Sequence, residues 1–216
     1  MKKLLGAVAV AGIMLVTGSV LYAAEKGAKK EPAKEEGGAT LKKGDRKELI
    51  KFDKGEIIAN GASGDNSKSF TSSLSKEHAA KGKMYCGKVV MLKDGESCSI
   101  ITHDGALLKG KRGDWKEYDC LVIKYFLDGD KPLSASAIIA DQESFGQNWE
   151  NWKYSSYVSR NLIFQPGENT MSIDLSSLVS NGGRALDLGN MRTFGIGKAK
   201  GEEYTIYFQE LYVEKE

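Results

Sequence analysis

Between positions 49 and 213 the chain is a succession of short apolar or alternating runs, each ended by a turn signal, and no stretch sustains the period of an amphipathic helix. The runs fall at 49–52, 85–91, 97–102, 121–127, 133–140, 157–164, 170–175, 193–196 and 204–213. Between them stand Asp94-Gly95, Asp104-Gly105, Asp128-Gly129, Pro166-Gly167 and Asn181-Gly182-Gly183, pairs suited to tight turns or to residues at positive φ. Such spacing predicts an all-β sandwich, with helical turns only around 73–80 and 176–180.

Alternation assigns the faces of two of these strands, because successive side chains on a strand point to opposite sides of the sheet. Leu121, Ile123, Tyr125 and Leu127 form the expected core face, with Cys120, Val122, Lys124 and Phe126 opposite. Met171, Ile173 and Leu175 likewise share a face against Ser172 and Asp174.

The N-terminus has a different character. Lys2 and Lys3 precede an uncharged stretch, 4–24, that ends in Ala23-Ala24, the layout of a secretory signal peptide over 1–24. Tyr22 and Leu21 are bulky for the position three before a cut, and a span of about 20 apolar residues crosses a bilayer, so an uncleaved anchor is the alternative. Residues 25–46, rich in Lys, Glu, Gly and Ala and free of aromatics, cannot bury a core and read as a charged flexible linker. The sandwich domain is then 47–216, expected outside the cytoplasm, secreted or in the periplasm or cell envelope, with membrane contact only if the first segment is retained.

Of 31 basic and 29 acidic residues, Lys2 and Lys3 leave with the signal, so the mature chain is formally neutral. A nucleic-acid binder needs clustered positive charge to displace counterions from phosphates, and that class is excluded.

Several segments, in order, resemble the galactose-binding-like jelly rolls found in many carbohydrate-binding modules. They are Leu74-Ser75-Lys76-Glu77-His78 with Gly82-Lys83, then Asp114-Trp115 with Tyr118-Asp119 and Leu121, then Pro166-Gly167-Glu168-Asn169-Thr170. The stretches 186–192 and 207–213 complete the series. The resemblance implies a jelly-roll β-sandwich in which Trp115 and Tyr118 plug a corner and Asp119 and Asn190 serve as turn or cap residues. It also implies a structural calcium between the first and last strands, for which Asp53 and Glu210 are the available ligands. Gln209-Glu210 departs from the Asp-Asn expected there, and a hard cation wants about six to eight oxygens.

The loop 141–157 concentrates the remaining signal. Phe145, Trp149, Trp152, Tyr154 and Tyr157 are interleaved with Asp141, Gln142, Gln147, Asn148, Glu150 and Asn151. Aromatic rings stack on the apolar faces of pyranose rings while amides and acids read hydroxyls, so Trp149, Trp152, Tyr154, Asp141, Gln147 and Asn151 are the candidate ligand-binding residues. The spacing of three between the tryptophans requires a loop or bulge for both rings to meet one ligand.

Catalysis is not expected. His78 and His103 are isolated, and acids within one loop do not by themselves supply the separated carboxyl pair of a glycosidase. Cys86, Cys98 and Cys120 form no CxxC motif. A Cys86–Cys98 bridge across consecutive strands and three reduced thiols are both open. The expected role is non-catalytic recognition of a glycan or polysaccharide, with a protein-interaction or assembly module as the alternative.

Overall fold

The computed structural model describes residues 41–58, 69–95, 97–101 (backbone), 112–147 and 150–216. The expected export segment and most of the linker lie outside them. The elements are β1 (Arg46–Glu48), β2 (Phe70–Ser75), β3 (Cys86–Met91), β4 (Ser97–Ile101), β5 (Cys120–Leu127), β6 (Leu133–Asp141), α1 (Gln142–Phe145), β7 (Val158–Phe164), β8 (Gly167–Asp174), β9 (Met191–Gly197) and β10 (Tyr204–Glu214).

They form two antiparallel sheets. One has the order β2-β3-β10-β5-β8, with β1 also on β10, and the other has the order β4-β9-β6-β7. From β3 onward the chain changes sheet at every step except β6 to β7, which is jelly-roll connectivity. The all-β sandwich expected from the turn spacing is the observed fold.

The core lies between the sheets. Leu121, Ile123, Tyr125 and Leu127 are buried in it as alternation required, together with Ile206, Phe208, Leu211 and Val213 of β10 and Ala135, Ala137 and Ile139 of β6. Each fully buried large apolar side chain contributes about 1.5–3 kcal/mol. The Tyr125 hydroxyl accepts from the Gln165 N–H at 2.9 Å, so its one polar atom is satisfied inside. The opposite face of β5 is also covered in part, where Cys120, Val122 and Tyr212 make a small second cluster.

Trp115 is fully buried, and its indole N–H donates to the Arg112 carbonyl at 2.8 Å. Arg112 in turn meets both carboxylate oxygens of Glu56, at 2.7 and 2.8 Å, and donates to the Leu49 carbonyl at 3.3 Å. The corner therefore ties the start of the domain to the lead-in of β5. Asp119 accepts from Lys215 Nζ (2.8 Å) and the Glu216 N–H (2.9 Å), and Asn190 donates to Asp187 at 2.6 Å, both as turn and terminus ties.

Two expectations need correction. Residues 70–75 form β2, an edge strand, where helical turns were expected from 73 onward. Phe70 is buried opposite Met91, and the Ser72 hydroxyl donates to the Ile58 carbonyl, so packing overrides the weak β propensity of a Ser-rich stretch. The run 49–52 is not a strand: β1 ends at Glu48 and a 3₁₀ turn covers Phe52–Lys54. Of the two cysteine arrangements left open, the structure has Cys86 as a free thiol: β3 pairs with β2 and β10 while β4 pairs with β9, which puts Cys86 and Cys98 on different sheets. Burial pushes the Cys86 thiol up to about 11. The last linker residues also belong to the folded unit, since Gly44 N–H donates to the Lys215 carbonyl and Lys215 N–H to that of Asp45.

Candidate functional site

At the end of β6 the chain turns sharply through α1, and the turn is organised by one buried acid. Asp141 is fully buried and caps α1, accepting from Ser144 N–H at 2.9 Å and the Ser144 hydroxyl at 2.7 Å. Arg184 NH1 and NH2 donate to its two oxygens at 2.7 and 2.9 Å, and Asp187 N–H adds a fifth bond at 2.7 Å. Burial pushes its carboxyl up, but the bonds from Arg184, Asp187 and Ser144 outweigh this and hold it below the usual carboxylate range. Asp141, expected to orient a ligand, is instead an internal hub: all its lone pairs are spent on the protein and none faces solvent.

Arg184 extends the network. It also donates to the Ser156 carbonyl at 3.2 Å and lies 3.3 Å from Glu143, joining the 180–187 loop to α1 and to the 3₁₀ turn Tyr154–Ser156. Gly182 is required here by close approach, since a Cβ would come within 2.7 Å of the Ser155 carbonyl oxygen. Its N–H donates to that same carbonyl at 3.0 Å, while Asn181 donates to the Tyr154 and Tyr157 carbonyls at 2.9 Å each. Gly146, at φ +68, lets α1 end after one turn.

On this frame the aromatic residues form a ladder. Phe145 is buried and lies 4.8 Å from Trp152 between ring centroids, Trp152 stacks on Tyr157 at 4.7 Å with a 22° interplanar angle, and Tyr157 meets Tyr154 edge-on at 6.1 Å. Exposure rises outward along the ladder, and Tyr154 is 68% exposed. Tyr157 directly precedes the core residue Val158, so it shares the outer face of the four-stranded sheet with Ser159, Asn161 and Ile163. Beside the ladder is an open depression of about 330 Å³ lined by Glu143, Asn151, Lys153, Ser155, Ser180 and Arg184, among others.

The sequence-derived candidates are distributed as follows. Trp152 is half-buried inside the ladder, Tyr154 is its exposed end, and Asn151 lines the depression while donating to the Glu143 carbonyl at 3.2 Å. Gln147 is exposed, with its backbone N–H on Glu150 at 2.7 Å. Trp149 and Asn148 lie outside the described residues. Residues 150–157 are turn and 3₁₀ structure rather than strand. Sequence reasoning missed Lys153, Ser155 and Arg184, and weighed Glu143 only as one of the loop's acids. The Asn181-Gly182-Gly183 turn preceding Arg184 was visible, but nothing local said which loop it would meet.

Asp53 and Glu210 do line one depression, of about 170 Å³, yet the donor set does not fit calcium. Asp53 Oδ1 accepts from Met84 and Tyr85 N–H at 2.8 and 3.0 Å, and its other oxygen lies 4.0 Å from Lys83 Nζ. Glu210 meets Lys124 Nζ at 2.7 Å, off the hydrogen-bonding direction. Calcium needs about six to eight oxygens around it, and here two ammonium groups stand among the carboxylates. Among the described residues no group of three or more His, Cys, Asp or Glu side chains could hold a metal ion. His78 is exposed and stacks on Phe126 at 3.6 Å.

No protein-family model matches the chain, and no curated protein matches it. Solved structures similar to it include carbohydrate-binding modules. A family 11 carbohydrate-binding module from Clostridium thermocellum, in complex with a β-1,3-1,4-mixed-linked tetrasaccharide, is 11% identical over 68% of this chain and 82% of its own, with a TM-score of 0.46. A family 30 carbohydrate-binding module of a cellulosomal cellulase of Clostridium thermocellum is 12% identical over 72% of this chain and 86% of its own, with a TM-score of 0.44. An exo-β-agarase is 13% identical over 68% of this chain, which spans only 23% of the agarase, with a TM-score of 0.49.

Proposed function

We propose that the chain is an exported, non-catalytic module that binds a polysaccharide at the aromatic ladder and the polar depression beside it. The observation that carries the reading is the ladder's outward gradient: Phe145 and Trp152 are packed into the protein, and Tyr154 presents a ring to solvent next to hydrogen-bonding groups of Asn151, Lys153 and Ser155. A solvent-exposed ring supported from behind by packed aromatics is a rigid stacking surface, which keeps the entropy cost of binding low. The neighbouring amide, hydroxyl and ammonium groups can read sugar hydroxyls without a loop having to close.

The non-catalytic reading is supported by the partners of the loop's acids. Asp141 is saturated by internal hydrogen bonds, Glu143 lies against Arg184, and Glu150 accepts from Gln147 N–H. Glycoside cleavage needs two carboxyls facing each other across the bond, about 5–10 Å apart.

A glycan array probed with the purified exported protein tests this reading. It expects a defined set of polysaccharide fragments to bind, with competition by the soluble fragment. Retention of a protein partner together with indifference to every glycan would favour an assembly module instead. N-terminal sequencing of envelope and medium fractions tests export, with a start near Glu25 expected and full-length chain confined to the cytosol contradicting it.

A further inference from the structure

Asn181-Gly182 is a pair that can react with itself, because glycine has no side chain to hinder its own nitrogen. In that reaction the Gly182 nitrogen gives its proton to solvent and attacks the carbonyl carbon of the Asn181 side chain. A C–N bond forms there, and the side-chain nitrogen leaves as ammonia. Water then opens the cyclic imide to aspartate, or to isoaspartate, in which the backbone runs through the former side chain. Both residues are exposed, so burial does not keep water from them.

The reacting atoms are nevertheless held by the segment that carries the outer rings of the ladder. The Gly182 N–H donates to the Ser155 carbonyl at 3.0 Å, a bond that must break before the nitrogen can lose its proton. The Asn181 amide is fixed at both ends: Nδ2 donates to the Tyr154 carbonyl at 2.9 Å, and Oδ1 accepts from the Ser159 N–H at 3.2 Å. Its backbone N–H donates to the Tyr157 carbonyl at 2.9 Å. Turning the amide carbon toward the Gly182 nitrogen disrupts both side-chain bonds. The dipeptide and residues 154–159 therefore hold each other.

We propose that Asn181 is a deamidation site guarded by this turn: it stays unreacted while 154–159 is in place, reacts when that segment opens, and once converted no longer holds it. An aspartate has no side-chain N–H for the Tyr154 carbonyl and sets oxygen against oxygen there. An isoaspartate also lengthens the backbone between the two N–H groups that meet the Tyr157 and Ser155 carbonyls. Loss of ammonia to solvent makes the change one-way, whatever ligand the ladder takes.

The test is peptide mapping by mass spectrometry on the full chain, incubated in mildly alkaline buffer with and without denaturant. Asn60-Gly61, the chain's other Asn-Gly pair, lies outside the described residues and serves as the reference in denaturant, where the two pairs should react at similar rates. Without denaturant, conversion at Asn181 should be at least about tenfold slower than with it. Ser156→Ala removes the hydroxyl that bonds the Lys153 N–H and carbonyl within the turn, and should raise the native rate at Asn181 while leaving that at Asn60 unchanged. Asn181→Asp, which reproduces the aspartate product, should melt about 2–4 °C below wild type. Equal conversion of Asn181 with and without denaturant, or none in either, overturns the proposal, as does a folded Ser156→Ala with the wild-type rate. An Asn181→Asp chain that melts with the wild type overturns the claim that conversion releases the turn.

Discussion

Asp141 shows how much a single side chain can organise. Its five hydrogen bonds join β6, α1 and the 180–187 loop, so the depression and the ladder beside it depend on a fully buried acid. Asp141→Ala leaves Arg184 without its main partner in a part-buried position and is expected to cost about 3 kcal/mol, toward the lower end for a broken internal ion pair because Arg184 keeps some solvent. Denaturant unfolding measures this. The pH dependence has a definite sign. An unfolded aspartate titrates at about 3.9, and the folded carboxyl of Asp141 is held lower, so its contribution is fully present above that value and is lost as pH falls through the folded one. Wild type should therefore lose stability below about pH 4 more steeply than Asp141→Asn; parallel profiles would show that the carboxylate contributes nothing.

At the level of elements, the corner before β5 carries the clearest structural expectation. Trp115→Ala should cost about 3–5 kcal/mol, since the ring is fully buried and its N–H is bonded to Arg112, whereas glycan affinity per folded molecule should not change. Lost binding with normal unfolding would move Trp115 into the site. The strands legible in the sequence were those with a strict apolar alternation or a continuous apolar run, such as β5, β6 and β10, because there the burial pattern and the backbone period coincide. β2 was not legible, since its sequence, FTSSLS, is mostly small polar residues and its pairing with β3 is set by a partner distant in sequence. The site was legible as composition only. The aromatic loop announced itself, but Asp141 could not be told from a surface acid, because its partner Arg184 comes from a turn two strands later.

For the molecule as a whole, the proposed reading places recognition apart from the packing that gives stability. The core between the sheets and the corner at Trp115 hold the fold, while the ladder projects from the end of the four-stranded sheet, where exposed rings can change with little effect on packing. Calorimetric titration of wild type and Tyr154→Ala with the tightest glycan from the array tests this most directly. Tyr154 is 68% exposed, so its truncation should move stability by about 0.5 kcal/mol or less, yet affinity should fall at least about tenfold, or about 1.4 kcal/mol. Equal affinities for two equally folded proteins would contradict recognition at the ladder.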